Sequence, residues 1–258
     1  MPTPKRVLVL VPFPMDADNL AKRRAQMSAV KLGPDIAFDF RPVAIAPVNY
    51  VSQQDMLLAD IGMVEAGHQA EAEGYDAVCI DTVSDSGMTA LRSVLSIPVI
   101  GAGRHAILMA LTLGKRFSFV SMWDRWRPLY EKTLAELGLQ AKCASMRSAD
   151  LEPNNQSLLS GREEEVFPVL LETAKRCVEE DRADALVWAL TALFPAMTKP
   201  EDNLLRTRRR QGPARVNTGH SHAKAWLVPA CTPRSWDVDL DTPASASTSW
   251  RGRSASLP

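Results

Sequence analysis

Short apolar runs alternate with longer segments of helical spacing along most of this chain, and that alternation constrains its fold more than any other feature. Arg6-Val-Leu-Val-Leu-Val11 is bounded by charge before it and by Pro12-Phe-Pro14 after it. A run with no polar alternation suits a strand covered on both faces. Asp16 to Val30 has helical periodicity with aspartates at its start and Gly33-Pro34 at its end, the placement that favours the helix dipole and then stops the helix. A second strand is predicted over Ile36 to Val43, a helix over Gln53 to Glu73 closed by Gly74, and a strand over Ala77 to Ile80 leading to a helix from Met88 to Leu95. Further on come a strand at Ile97–Gly101, a helix at His105–Leu113, a strand at Arg116–Met122 and a helix at Trp123–Leu137. A strand at Leu139–Ser145, a helix at Glu163–Glu180 and a strand at Ala185–Leu190 complete the pattern. Strand and helix in alternation predict α/β architecture, with parallel sheets and right-handed crossovers. The organisation restarts near residue 97, which divides the chain into a first α/β half over 1–97 and a second over 98–195, although no sequence repeat proves a duplication.

Charge and cysteine usage then exclude several functions. The 258 residues carry 30 basic and 30 acidic side chains, net charge +0, whereas a general nucleic-acid or membrane-surface role needs a cationic excess. The apolar runs are far too short to cross a bilayer, and Met-Pro-Thr-Pro-Lys-Arg at the start leads into no secretory core. Cys79, Cys143, Cys177 and Cys231 are scattered, without CxxC spacing or a disulfide framework. These features predict a cytoplasmic protein with reduced thiols and no nucleic acid or membrane as partner, with a homo-oligomer left open.

Beyond about residue 191 the character changes, and 196–258 is expected to be irregular. Arg206, Arg208, Arg209 and Arg210 form a basic run, and Asp241 to Pro258 is dominated by Ser, Ala, Thr, Pro and Arg. One reading is a disordered basic tail. The other, which we prefer, is an out-of-frame continuation, because Trp188, Trp226, Trp236 and Trp250 supply four of the six tryptophans amid Arg, Pro and Ser.

The chemistry gathers in Asp76-Ala-Val-Cys-Ile-Asp-Thr-Val-Ser-Asp-Ser-Gly-Met88, an apolar strand entering a loop of small hydroxyl residues. Loops at the C-terminal ends of parallel strands are where open α/β sheets bind ligands. Thr82, Ser84 and Ser86 fall at alternate positions, so their hydroxyls or backbone N–H groups can converge on one ligand; the plainer reading is a strand-to-helix turn capped by Ser86. By the same rule Pro12, Phe13 and Pro14, and the stretch from Ser121 to Trp123, lie at the ends of other strands and would face the same cleft.

Together with Ser96-Ile-Pro-Val-Ile-Gly101 and Leu113-Gly-Lys-Arg-Phe-Ser-Phe-Val-Ser121, this stretch resembles the aspartate/glutamate/hydantoin racemase superfamily, in particular its hydantoin-racemase branch, over about residues 5–190. The resemblance implies two pseudo-symmetric parallel-sheet domains with the active site between them, no cofactor and no metal, and two cysteines on opposite faces of the substrate's acidic carbon. Inversion needs a base on one face and a proton donor on the other. Thiols can serve both roles because their pKa can be moved toward neutrality. The substrate class implied is a hydantoin, an amino acid or a related small carboxylate, held by Pro12, Phe13, Pro14, Ser84, Ser86, Gly87 and Ser121.

The sequence departs from that pattern at both cysteines. Thr82 stands at the first, and a hydroxyl is too weak an acid to rest as a base without help, for which Asp81 and Asp85 are candidates; Thr82 and Asp85 are therefore the catalytic expectation. Asp85 has an alternative reading as a loop-stabilising acceptor, and Cys79, three residues earlier inside the strand, reads as packing. At the second position stands Ala189-Leu190, and leucine neither donates nor accepts a proton. His220 and His222 have no accompanying ligand at metal spacing. The alternative to an enzyme is a degenerate or truncated member that only binds a small carboxylate or imide.

Overall fold

The computed structural model describes residues 4–26, 36–47, 49–151, 163–189, 225–228 and 236–238. In chain order its elements are β1 (Lys5–Val11), α1 (Ala17–Gln26), β2 (Ile36–Pro42), α2 (Gln53–Gly67), β3 (Ala77–Ile80), α3 (Met88–Val94), β4 (Val99–Gly101) and α4 (Ala102–Leu113). They continue with β5 (Phe117–Ser121), α5 (Arg127–Leu137), β6 (Cys143–Ser148), α6 (Glu163–Glu179), β7 (Ala185–Trp188), β8 (Ala225–Val228) and β9 (Trp236–Val238). The strands form two sheets, ordered β2-β1-β3-β4 and β6-β5-β7-β8-β9. Every pairing is parallel except β8 with β9.

The two orders are one topology written twice, and the local hydrogen bonds repeat with it. Asp76 donates its N–H to the carbonyl of Arg6 in the first sheet as Asp184 does to that of Arg116 in the second. Each aspartate carboxylate in turn accepts the N–H of that arginine. Just before each aspartate's strand the chain passes through a left-handed residue, Gly74 (φ +80°) and Arg182 (φ +57°). Past the strands, Asp81 N–H reaches the carbonyl of Leu10 and Ala189 N–H that of Val120. The duplication that no sequence match proved is therefore visible in the backbone.

Several boundaries differ from expectation. The strand predicted over Leu139–Ser145 begins only at Cys143 and runs to Ser148, because Gln140–Lys142 wind into a 3-10 turn first. The predicted division at residue 97 would give β4 to the second half, but Val78, Cys79 and Ile80 pair with Val99, Ile100 and Gly101, so the first sheet runs through Gly101 and the crossover begins at α4. The helix predicted to Glu73 ends as regular α-helix at Gly67; beyond it Ala70 and Gly74 bond three residues back, to Gly67 and Glu71, in tighter turns. Within the tail expected to be irregular, β8 and β9 extend the second sheet, while the basic run at Arg206–Arg210 lies outside the described residues. One buried apolar cluster joins the halves: Tyr50, Met56, Ala59 and Val83 from the first pack with Ala102, Ala106, Phe117, Phe119, Ala185 and Val187. The loop after β3 is thus held at the seam.

Candidate functional site

Asp81 closes β3 and is almost fully buried, where an unpaired carboxylate would be costly. It is paired: Arg23 of α1 donates Nε to Oδ2 at 2.7 Å and Nη2 to Oδ1 at 2.5 Å. This ion pair anchors the residue immediately before Thr82, and it commits one of the two carboxylates expected to assist that threonine.

Beyond it, three hydroxyls form a chain. Thr82 Oγ1 lies 3.1 Å from Ser84 Oγ, which lies 2.8 Å from Ser86 Oγ. Ser84 and Ser86 are buried while Thr82 is half-buried, so Thr82 is the more accessible end. The alternation read from sequence thus becomes a hydrogen-bonded row. Among the described residues the N–H groups of Val83 and Ser86 have no acceptor, whereas Asp85 N–H is turned in to the carbonyl of Thr82 at 3.3 Å. Ser86 does not cap α3: the residue at the cap is Gly87, which has no side chain for the purpose.

Asp85 does not touch Thr82's hydroxyl. Its carboxylate accepts the N–H groups of Gly103 at 2.7 Å and Arg104 at 2.8 Å, in the first turn of α4, with Arg104 Nε 3.6 Å away. Burial pushes its carboxyl up to about 6, against the opposing pull of the Arg104 and Gly103 N–H groups and the Arg104 and Arg92 guanidiniums. Asp85 also holds a left-handed backbone, φ +52°, which aspartate tolerates better than most residues.

Gly87 was expected to offer its N–H to a ligand. That N–H instead donates to Asp60 Oδ1 of α2 at 2.7 Å. The need for glycine there is steric: φ is +73°, and a Cβ would lie 2.6 Å from Met63 Cβ. On the first sheet's other strand end, Pro12 is buried and its carbonyl accepts the Tyr50 hydroxyl at 2.7 Å, while the Tyr50 ring meets Phe13 edge-on at 5.5 Å. Pro14 is exposed. Ser121 ends β5, buried, with its hydroxyl 3.4 Å from the carbonyl of Trp123.

Among the described residues no thiol replaces the one that Thr82 lacks. Cys79 is buried on the face of β3 that packs on Val9, Val11 and Phe40. Cys143 and Cys177 lie by Ser145 between β6 and α6, and burial raises both thiols, Cys143 to about 11. Asp81 and Ala189 are equivalent in the backbone, and in sequence Thr82 follows the one and Leu190 the other. Leu190 itself lies outside the described residues, as do His220, His222 and Cys231.

Arg23, Tyr50, Asp60, Gly103 and Arg104 support the loop and were not singled out from sequence. Their partners lie between 18 and 58 residues away in the chain, so no local pattern announces them.

Residues 21–199 match the family described as Asp/Glu/Hydantoin racemase. The chain is 31% identical over 141 residues to a hydantoin racemase of Rhizobium meliloti, covering 55% of this chain and 57% of that protein. It is 33% identical over 153 residues to one of Paenarthrobacter aurescens, covering 58% and 63%. The chain thus matches little more than half the length of these relatives. Among solved structures, allantoin racemase from Klebsiella pneumoniae aligns with a TM-score of 0.65 at 23% identity, covering 74% of this chain and 76% of that one. That of Pseudomonas fluorescens aligns at 0.63 and 23%, covering 79% and 82%. At such identities these likenesses speak to the fold. No helix among the described residues is long and apolar enough to cross a membrane.

Proposed function

The chain belongs to the Asp/Glu/Hydantoin racemase family, and from that premise we propose that it is a cofactor-independent isomerase acting at the acidic carbon of a hydantoin, an amino acid or a related small carboxylate. The observation that carries the reading is the row of hydroxyls from Thr82 through Ser84 to Ser86, accessible at its Thr82 end and set at the end of a central strand. Removing the Cα proton leaves an enolate, and N–H groups and hydroxyls fixed in advance stabilise such charge without reorganising. In this reading Thr82 exchanges the proton on one face, with Ser84 and Ser86 holding its hydroxyl in place. The unengaged N–H groups of Val83 and Ser86 bind a substrate oxygen. Pro12, Phe13, Pro14 and Ser121 line the approach to it.

The same geometry makes the reaction slow. A threonine hydroxyl is a poor base, and the carboxylates nearest it in sequence are occupied by Arg23 and by the first turn of α4. That commitment favours a second reading, a member that binds a small carboxylate or imide without turning it over. Following optical rotation and deuterium incorporation together, for a chiral 5-substituted hydantoin in heavy water, separates the two. Slow deuterium uptake running ahead of loss of rotation supports a weak isomerase working mainly from one face. Saturable binding with no uptake supports the binder. Neither binding nor uptake for hydantoins and amino acids would overturn both.

A further inference from the structure

Asp85 occupies a place that neither catalysis nor simple loop closure accounts for. It sits in the first half's hydroxyl loop, yet its carboxylate is spent on the first turn of α4, the helix that crosses to the second sheet. The contact surface has no slack. A Cβ on Gly101 would lie 2.6 Å from the Asp85 carboxyl carbon, and one on Gly103 would lie 2.0 Å from the Val83 carbonyl oxygen. Arg104 extends the link, its guanidinium near Asp85 and bonded to Glu136 of α5. Between Thr82 and Met88 the loop closes on Asp85 itself, whose N–H bonds to the carbonyl of Thr82 and whose carbonyl accepts Met88 N–H at 3.2 Å.

Resting on the isomerase reading above, we propose that Asp85 is a positioning residue: its bonds to Gly103 and Arg104 N–H register the Thr82–Ser86 hydroxyls against the second half of the molecule. The ionised carboxylate is what accepts both N–H donors; asparagine in its place presents one oxygen and one amide donor, so one of the two bonds is lost. The groups facing the carboxylate are Arg104 from α4 and Arg92 from α3, the latter held on the carbonyl of Val99. Asp60 of α2 faces the same loop two residues on, at Gly87.

Burial raises this carboxyl to about 6, from about 4 in an unfolded chain. The folded protein therefore holds the proton more tightly than the unfolded chain, and ionising Asp85 opposes folding. The stability this group contributes is full below about pH 4 and lost as pH rises through about 6.

The test uses the full chain as wild type, Asp85→Asn and Thr82→Ala. At pH 8, Asp85→Asn is expected to speed backbone amide hydrogen exchange at Gly87, Met88, Gly103 and Arg104 at least tenfold, whereas Thr82→Ala leaves exchange at these four within twofold. Between pH 4 and 7 the thermal midpoint of Asp85→Asn should gain on that of wild type, and that of Thr82→Ala should run parallel to wild type. Cα deuterium uptake by a 5-substituted hydantoin should rise through about pH 6 in wild type and be low and pH-independent in Asp85→Asn. Unchanged amide protection in Asp85→Asn, or midpoints that keep a constant difference from wild type across this range, would overturn the proposal. If wild type exchanges no Cα proton, the isomerase reading falls, and the amide and midpoint results still decide the part played by Asp85.

Discussion

At Gly87 the residue type follows from backbone and space together, and replacement should be felt in stability before it is felt in binding. A β-branched side chain there must adopt φ +73° and push against Met63 Cβ at 2.6 Å and the Asp60 carbonyl at 3.0 Å. Left-handed strain alone is worth about 1–3 kcal/mol, so Gly87→Val should lower the unfolding free energy by at least that amount in a urea titration. An unchanged midpoint would mean that the α2 contact yields freely. At this scale the sequence was informative about the hydroxyls, because residues at alternate positions of a short loop converge whatever lies around them. It was misleading about Gly87, whose N–H belongs to Asp60, and silent on what Asp85 would bind, since a carboxylate in a loop looks the same whether its partner is a neighbouring hydroxyl or a helix 18 residues on.

Between elements the decisive contact is Arg23 of α1 with Asp81, the residue that follows β3. Removing one partner of a buried pair strands the other charge and costs about 3–5 kcal/mol, while replacing both with apolar residues can be nearly neutral. Arg23→Met should therefore destabilise by about that much, and Arg23→Met with Asp81→Leu should recover most of it, read by denaturant unfolding; equal loss in the single and double variants would contradict this. On α2, Ser52 and Asp55 form a reciprocal cap. Ser52→Ala should cost about 1 kcal/mol by the same measurement. The bonds from Ser52 and the Val51 N–H hold the Asp55 carboxyl below its usual range, so this support is present near neutrality and fades as acid protonates Asp55. Element type was largely legible: β3 was read at its observed bounds, because apolar run length and flanking polarity identify a strand. Partnership was not. The assignment of β4 to the first sheet, and of β8 and β9 to the second, rests on pairings between segments far apart in the chain.

Among the described residues one topology is used twice, with Asp81 and Ala189 at equivalent stations, each the residue just before a position where the family resemblance expects an acid/base group. Reading the repeat from sequence failed because the second copy keeps the aspartate, the left-handed turn and the Lys-Arg strand start while changing nearly every apolar side chain between them. Backbone constraints persist where side chains need only fill volume. Inversion as proposed above asks for two acid/base groups, and the sequence has Thr82 after Asp81 and Leu190 after Ala189. The central claim, that Thr82 stands where the proton is exchanged, is open to a gain of function. Thr82→Cys, with its thermal midpoint checked against wild type, should raise Cα deuterium uptake by a chiral 5-substituted hydantoin about 10²- to 10⁴-fold, the usual contribution of one acid/base group. Uptake in a folded Thr82→Cys protein that stays at the wild-type rate would contradict the placement of the reacting carbon at Thr82.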